Sequence, residues 1–279
     1  MDKNRTQRQR LDYLVERFME DSHERFQTNS LDRYTEEQEQ RVLRSLMNVR
    51  MPRKMDSQVL EVQDEYLSQL AKEKGVVSWE DIPTVGEQFG SGASHSEKIA
   101  IWQGDITRLE VDAIVNAANS QMLGCFIPMH ACIDNCIHSF AGIQLRMECD
   151  QKMKRLRERY GSGYEQPTSV PMLTKGYNLP AKHVIHVVGP IVHSVLTEEL
   201  EAQLADCYRN VLDMCAANQI RSVAFCCIST GVFHFPNERA AKIAVQTVGE
   251  WLDEKETLMD KVIFNVFKDE DRGYYERLF

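Results

Sequence analysis

The hydrophobic positions follow two different patterns along the chain. In residues 1–95, apolar residues recur at helical spacing, as in segments 11–18 and 42–47. A third helix is predicted from Asp56, which can cap its first turn, to Gly75, which can stop it. We therefore predict a helical N-terminal extension over residues 1–95.

The pattern changes after a glycine- and serine-rich segment, residues 86–98, which we interpret as a linker. Beyond it, short apolar runs alternate with longer stretches of helical periodicity. The predicted strands are Ile99–Trp102, Ala113–Asn116, His183–Val188, Val223–Ser229 and Val262–Phe267. The predicted helices are Ile133–Lys154, Glu198–Ala217 and Asn237–Trp251. Nearly continuous apolar strands separated by helices are typical of a mainly parallel sheet with helices on both faces, so residues 96–279 are predicted to form an α/β domain.

The composition narrows the classes of function. A chain of 279 residues with 43% hydrophobic and 27% charged residues is typical of a globular protein. The net charge of −9 disfavours a duplex nucleic-acid partner, because phosphate binding depends on clustered Lys and Arg. No apolar run approaches the roughly 20 residues of a membrane span, and the N-terminus shows no secretory signal. With eight dispersed cysteines, these features lead us to expect a reduced, cytoplasmic protein without a membrane partner.

Polar side chains follow the first two strands of the α/β domain, at the edge where open sheets of this class bind ligands. Asp105 follows the first strand, and its carboxylate can accept a hydrogen bond from an exocyclic amine such as that of adenine. Gly-Asp is also a common turn sequence. Asn116 and Asn119 end the next strand, where side-chain amides either fix a turn or bind sugar hydroxyls.

A third loop, residues 228–233, joins a strand to a helix and contains a Ser-Thr-Gly sequence. Such a loop exposes backbone N–H groups next to a positive helix end, which suits a diphosphate. The loop lacks the lysine of a Walker A motif, so hydrolysis of a nucleoside triphosphate is not expected.

Soft metal ligands are concentrated in one short segment. They are Cys125, His130, Cys132, Cys136 and His138. Free cysteines are often only small apolar core residues. Zinc nevertheless binds Cys and His readily, and a catalytic zinc keeps three protein ligands and one open position. His130 and Cys132 form the clearest pair, whereas spacing alone does not choose between Cys136 and His138 as the third ligand.

Taken together, the motifs GDIT, VNAAN, CIDNCIHSFAG, YNLPAKHVIHVVGP and ISTGVFHFP resemble those of the macrodomain family, in the family's order, across residues 99–279. Macrodomains are three-layer α/β/α sandwiches with a mixed, mainly parallel sheet that bind ADP-ribose, and several of them hydrolyse it from proteins or small molecules. The segment GCFIPMHACIDN replaces the glycine-rich loop of many hydrolytic members. With the helical extension, it resembles the zinc-dependent subgroup of microbial protein-ADP-ribose hydrolases.

The resemblance implies a role for each matched position. The implied contacts are Asp105 and Ile106 with adenine; Ser229, Thr230, Gly231, Val232 and Phe233 with the diphosphate; Asn116 and Asn119 with the distal ribose; and His130, Cys132 and His138 with one zinc ion per chain. Asp134, near the distal ribose, and Asn119 are the implied catalytic residues. Phe267 would pack either near the adenine or in the core.

The chain departs from the family pattern at two places. His234 stands where a glycine is more usual in the phosphate loop. Pro171 lies in the segment 169–172 before a predicted strand, where its missing N–H leaves the strand edge unassigned.

These features lead to the hypothesis of a metal-dependent, glycosidic-type hydrolase that cleaves the bond between C1″ of ADP-ribose and a side-chain oxygen of a mono-ADP-ribosylated protein. Zinc would act as a Lewis acid on the distal-ribose hydroxyls or the scissile linkage, and Asp134 would orient the ribose or act as a base. Three alternatives stay open. The protein could be an ADP-ribose reader whose zinc is absent or is structural, with Cys125 or Cys136 as a fourth ligand. It could hydrolyse a small ADP-ribose ester, or its extension could dock onto one partner protein.

Overall fold

The computed structural model describes residues 5–22 and 34–279. Residues 1–4 and 23–33 of the predicted extension lie outside the described residues. The strands are β1 Val77–Ser78, β2 Ile99–Gln103, β3 Leu109–Glu110, β4 Ala113–Ala117, β5 Met172–Lys175, β6 His183–Val187, β7 Ser222–Phe225 and β8 Lys261–Val266. The helices are α1 Gln7–Asp21, α2 Glu36–Val49, α3 Ser57–Lys74, α4 Val85–Phe89, α5 Ile133–Ala141, α6 Ile143–Tyr160, α7 Glu198–Ala217, α8 Asn237–Lys255 and α9 Asp269–Glu276.

The main sheet has six strands in the order β2-β8-β7-β4-β6-β5. All neighbouring strands in it are parallel except β5, which pairs antiparallel with β6 at the edge. The carboxyl ends of β2, β4 and β7 therefore lie along one edge of the sheet, and the polar turns that follow them share that edge. We call it the carboxyl edge.

Helices cover this sheet in two packed groups, α5 with α6, and α7 with α8 and α9. The prediction of an α/β fold with a mixed, mainly parallel sheet and helices before it is therefore confirmed. The strands β2, β4, β6 and β8 begin and end within about one residue of the predicted bounds, because their apolar runs are buried on both faces. The predicted end of β7 at Ser229 is wrong, since this strand ends at Phe225.

One predicted helix is interrupted, and one strand that the sequence left without bounds is now defined. The predicted helix Ile133–Lys154 is broken at Gly142, whose φ of 94° lies outside the helical range. A Cβ at this position would lie 2.7 Å from Nε2 of Gln63 in α3, so the break lets the extension approach closely. The edge strand β5 is the strand expected after segment 169–172, for which the sequence left the bounds unassigned. It begins directly after Pro171, at the strand start where a residue without an N–H is tolerated.

The extension has its own apolar core, formed by the facing sides of α1, α2 and α3. Ile143, at the start of α6, belongs to the same cluster, so this small core continues onto the main domain. Ile82 and Val85, which precede the predicted boundary at residue 95, pack into the core of the sheet instead. Within the described ranges, no helix is long and apolar enough to cross a membrane.

Candidate functional site

The turn after β2 is fixed by the Asp105 carboxylate. Its Oδ1 accepts hydrogen bonds from the backbone N and the hydroxyl of Thr107 at 3.0 and 2.6 Å, and Lys74 Nζ lies 2.6 Å from Oδ2. Burial raises the pKa of Asp105, but the hydrogen bonds from Lys74 and Thr107 outweigh it and hold the pKa below its usual value. Ile106 follows at once and is 1% exposed.

Asn116, Asn119 and Asp134 form one hydrogen-bonded group at the end of β4. Asn116 Nδ2 donates to Asp134 Oδ1 at 2.8 Å, and Asn119 Nδ2 donates to Asp134 Oδ2 at 3.3 Å. Asn116 is fully buried and Asn119 is partly exposed, so Asn119 is the member of the pair that a ligand can reach. Asp134 lies beneath them and is 5% exposed.

Burial shifts the pKa values of the two titratable side chains at this position, Asp134 and His138. It raises the pKa of Asp134 to about 6, against the lowering effect of the Asn116 hydrogen bond. It lowers the pKa of His138 well below the usual value, helped by His186 and Arg146. His138 Nε2 is 3.6 Å from Asp134 Oδ1, but a neutral imidazole at that distance is neither an ion-pair partner nor a good hydrogen-bond donor.

The segment between Asn119 and α5 brings three metal-ligand side chains together. The ligand atoms of Cys125, His130 and Cys132 all lie within 4.8 Å of one another, and Cys125 Sγ is 3.5 Å from His130 Nδ1. Cys132 is also the N-cap of α5, where its Sγ accepts the N–H of Asn135. We call residues 125–132 the metal loop.

His138, the third ligand that the resemblance implies, belongs to a different group. It lies with Cys149 and His186 in the core, and Cys125 takes the place beside His130 and Cys132. The reason is the start of α5 at Ile133, which turns position 138 inward while the loop before it stays outside. Cys136, the other candidate, points its Sγ toward Arg44 Nη2 at 3.5 Å and is not part of the group.

The chemistry of this donor set fits a zinc ion. Two thiols and one imidazole are ligands that zinc prefers, and all three are partly exposed, so an ion can reach them. Burial, together with the neighbouring Cys125, raises the pKa of the Cys132 thiol to about 12. A bound cation would reverse this effect, because a coordinated thiol is deprotonated.

The loop after β7 wraps tightly on itself. Ser229 adopts a φ of 65°, and its carbonyl accepts the N–H of Phe235 at 3.0 Å. Gly231 and Val232 are exposed at the tip, whereas Thr230 is held by a bond from its hydroxyl to the Cys227 carbonyl at 3.0 Å. The Ser229 hydroxyl is buried and has no hydrogen-bond partner in the part of the chain that is described.

The two remaining sequence features also find a physical explanation. His234 has a φ of 57°, in the left-handed region that favours glycine, and histidine is among the side chains enriched there. Phe267 follows β8 and is 75% exposed, so it does not take the core role that was one of its two alternatives.

Some residues at the site were not predicted from the sequence. Cys125 was considered only as a fourth ligand, although its position at the start of the metal loop was visible. Lys74, Arg44 and Asn48 reach the site from the helical extension, and nothing in the sequence pattern of the extension indicates those contacts.

Comparisons with known proteins agree with this geometry. The Macro domain family model matches residues 115–244. The chain is 43% identical over 275 residues to the protein-ADP-ribose hydrolase of Treponema medium, covering 98% of this chain and 99% of the relative. It is 41% identical over 237 residues to the protein-ADP-ribose hydrolase of Staphylococcus aureus strain MSSA476, covering 85% and 83%.

Among solved structures, the Trypanosoma brucei macrodomain in complex with ADP-ribose superposes with a TM-score of 0.63 at 28% identity, covering 84% of this chain and 94% of that one. The agreement in sequence extends over nearly the whole chain, including the helical extension. The chain therefore belongs to the macrodomain hydrolase family.

Proposed function

We propose that this protein is a zinc-dependent hydrolase that releases mono-ADP-ribose from oxygen-linked side chains of modified proteins. The observation that carries the proposal is the adjacency of the metal loop to the Asn119–Asp134 pair. Asn119, which we assign to the distal ribose, donates to the Gly124 carbonyl at 3.2 Å, directly before Cys125 of the donor set Cys125, His130 and Cys132. A metal site and a sugar site in contact with each other can act on the same bond.

The ADP-ribose part of the proposal is supported along the carboxyl edge. Asp105 and Ile106 are assigned to the adenine, and the exposed Phe267 is free to stack on it. The tight loop from Ser229 to Phe233 is assigned to the diphosphate, with the amides near Gly231 and Val232 as donors. Both curated relatives reported above are named as protein-ADP-ribose hydrolases, and one matched structure contains ADP-ribose.

For the metal, we propose Cys125 as the third ligand in place of His138. Zinc held by Cys125, His130 and Cys132 would supply a Lewis acid for the distal ribose and the scissile linkage. Among the described residues, the group contains three ligands and no fourth, which leaves a position for substrate or water and favours a catalytic site over a closed structural one. This is the reason to rank hydrolysis above the reader alternative.

The protein groups around the linkage would position it. Asn119 is the reachable amide, and it would donate to or accept from the distal-ribose hydroxyls. Both oxygens of Asp134 already accept hydrogen bonds from Asn116 and Asn119. We therefore assign Asp134 to holding the two amides in place and not to accepting a proton from water.

The test is release of ADP-ribose from a protein that carries it on a glutamate ester, with as-purified, chelated and zinc-restored enzyme. We expect activity to disappear on chelation and to return with zinc. Parallel samples with arginine-linked ADP-ribose and with a free acetyl ester of ADP-ribose define the linkage and the size of the substrate. Release that survives chelation would contradict the metal role, and binding of ADP-ribose without any release would indicate a reader.

A further inference from the structure

We propose that the helical extension is part of the metal centre, because α2 holds the metal loop in the shape that brings its ligands together. The side chains that do this are Asn48 and Arg44, both from the last turns of α2. The inference rests on the proposed zinc site, and it gives the extension a role other than a cap or a docking module.

The metal loop contains a strained residue directly before a ligand. Met129 has a φ of 56°, a left-handed conformation that is costly for a side chain without local hydrogen-bonding groups. Residues held in such regions persist only where their surroundings determine them, and they concentrate at functional sites. Because His130 follows at once, the direction of its imidazole depends on the backbone at Met129.

Asn48 supplies the group that stabilises this conformation. Its Oδ1 accepts the N–H of Met129 at 3.0 Å, and its Nδ2 donates to the Ser139 hydroxyl at 2.8 Å. Asn48 is 1% exposed, so both bonds are shielded from water in the folded chain. Both ends of the amide are thus engaged, one on the metal loop and the other on α5, which fixes the amide orientation.

Arg44 acts one residue further along the metal loop. Its Nη2 donates to the His130 carbonyl at 3.2 Å and to Asn135 Oδ1 at 2.9 Å. Asn135 in turn donates to the Ile127 carbonyl at 2.9 Å. Two consecutive residues of the metal loop, Met129 through its N–H and His130 through its carbonyl, are therefore tied to α2.

These contacts differ from those of a cap. A cap needs apolar burial, which the extension already has in its own core and at Ile143. Hydrogen bonds to the backbone beside a metal ligand fix the direction of that ligand's side chain. Outer contacts that orient metal ligands in this way change metal affinity by about 10- to 100-fold. The contacts from α2 are of this directional kind.

The experiment measures zinc affinity by competition with a chromogenic chelator and the ligand field by Co²⁺ absorption, independently of turnover. Asn48→Ala is expected to weaken zinc binding about tenfold or more. The matched control is Gln63→Ala. Gln63 is a fully buried amide of α3 that bonds to Ile143 N at 3.2 Å and to Gln144 at 2.6 Å, on the same interface but away from the metal loop. The Gln63→Ala variant should have a lower melting temperature than wild type and the same zinc affinity.

A second substitution tests the strain directly. Glycine adopts a positive φ at little cost, so Met129→Gly in the Asn48→Ala background should restore most of the lost zinc affinity. A general loss of stability would not be rescued in this way. If Asn48→Ala does not fold, Arg44→Met carries the test, with an expected loss of about tenfold in zinc affinity because its contact to the His130 carbonyl is removed.

The outcomes separate the two levels of the argument. A wild-type chain that binds no zinc overturns the proposed metal centre and, with it, this inference. A wild-type chain that binds zinc, with Asn48→Ala or Arg44→Met binding equally well, overturns only the role of α2.

Discussion

Lys74 Nζ lies 2.6 Å from Asp105 Oδ2, so the last residue of α3 pairs with the first carboxylate of the carboxyl edge. The same ammonium lies 3.6 Å from the centroid of the Phe140 ring. Arg108 Nε donates to the Gly75 carbonyl at 2.6 Å, which ties the end of α3 to the same turn. The adenine end of the proposed site is therefore built partly by the extension.

Replacing this lysine tests the pair. Lys74→Met should lower the free energy of unfolding at neutral pH by about 0.5–1 kcal/mol, the range of a partly exposed ion pair. The folded-state pKa of Asp105 is depressed, so its stabilising contribution is present above the unfolded pKa and is lost as the pH falls through the lower folded pKa. Denaturant titrations at several pH values should show the difference between wild type and Lys74→Met narrowing in acid.

Lys72→Met, an exposed lysine on the same last turn, is the matched control and should behave as wild type at every pH. If the deficit of Lys74→Met persisted unchanged below the folded pKa of Asp105, its origin would be packing against Phe140 and not the ion pair.

The identity of the third zinc ligand can be decided by two substitutions. Cys125→Ser should weaken zinc binding by about 100-fold or more, and in the Co²⁺ form it should reduce the thiolate charge-transfer absorption. His138→Leu should keep one zinc per chain, because His138 lies with Cys149 and His186 in the core. Zinc content by metal analysis and the Co²⁺ spectrum provide the measurements. If His138→Leu lost its zinc and Cys125→Ser kept it, the ligand set implied by the resemblance, His130, Cys132 and His138, would be the correct one.

Much of the fold could be predicted because the apolar periodicity of each element and the capping residues at its ends indicate the same bounds. The observed α7 has the predicted bounds, Glu198–Ala217, and α3 begins after Asp56 and ends before Gly75 as its caps indicate. The break at Gly142 could not be predicted, since a glycine within a helical pattern is often tolerated and only the approach of Gln63 requires the interruption.

The sequence predicted which turns at the strand ends form the site, but it did not predict which side chains in those turns contact one another. Spacing placed His130 and Cys132 together, because one residue separates them in a loop. It could not place His138, because the direction of that side chain depends on where α5 begins. Contacts from the extension, such as that of Asn48 with Met129, join residues 81 positions apart and follow from packing alone.

The role assigned to Asp134 gives a further prediction. In Asp134→Asn, one oxygen becomes an amide donor that faces the donor of Asn116 or Asn119, so one of these amides must turn away. We expect turnover to fall about 100-fold, the effect of a misplacement of about 1 Å at a reacting group. The measurement is single-turnover release of ADP-ribose. Asp150→Asn, the same change at a buried carboxylate paired with Lys154 on α6, is the control and should retain activity.

A double substitution separates orientation from proton transfer. If Asp134 acts through the Asn119 amide, Asn119→Ala combined with Asp134→Asn should be little worse than the more severe single variant, since residues that act as a unit are non-additive. Fully multiplicative losses would show that Asp134 has a separate role in the reaction.

Gly189 packs against the start of the loop that we assign to the diphosphate, so a substitution there tests the assignment. A Cβ at this position would lie 2.0 Å from Ser229 Oγ and 2.8 Å from Ile228 Cγ2, so Gly189→Ala must displace the start of the loop. We expect a loss of about 1–3 kcal/mol in stability from overpacking and a weaker affinity for ADP-ribose, measured by calorimetry. Gly249→Ala, with open space around its Cβ, should change neither.

A second substitution can relieve the steric clash that Gly189→Ala introduces. Adding Ser229→Gly to Gly189→Ala removes the side chain nearest to the new methyl group, and glycine accepts the φ of 65° at this position. Stability should recover, and ADP-ribose affinity should rise to the level of Ser229→Gly alone. If Gly189→Ala lost stability but bound ADP-ribose as tightly as wild type, the loop from Ser229 to Phe233 would not be the diphosphate site, because its displacement would have left binding untouched.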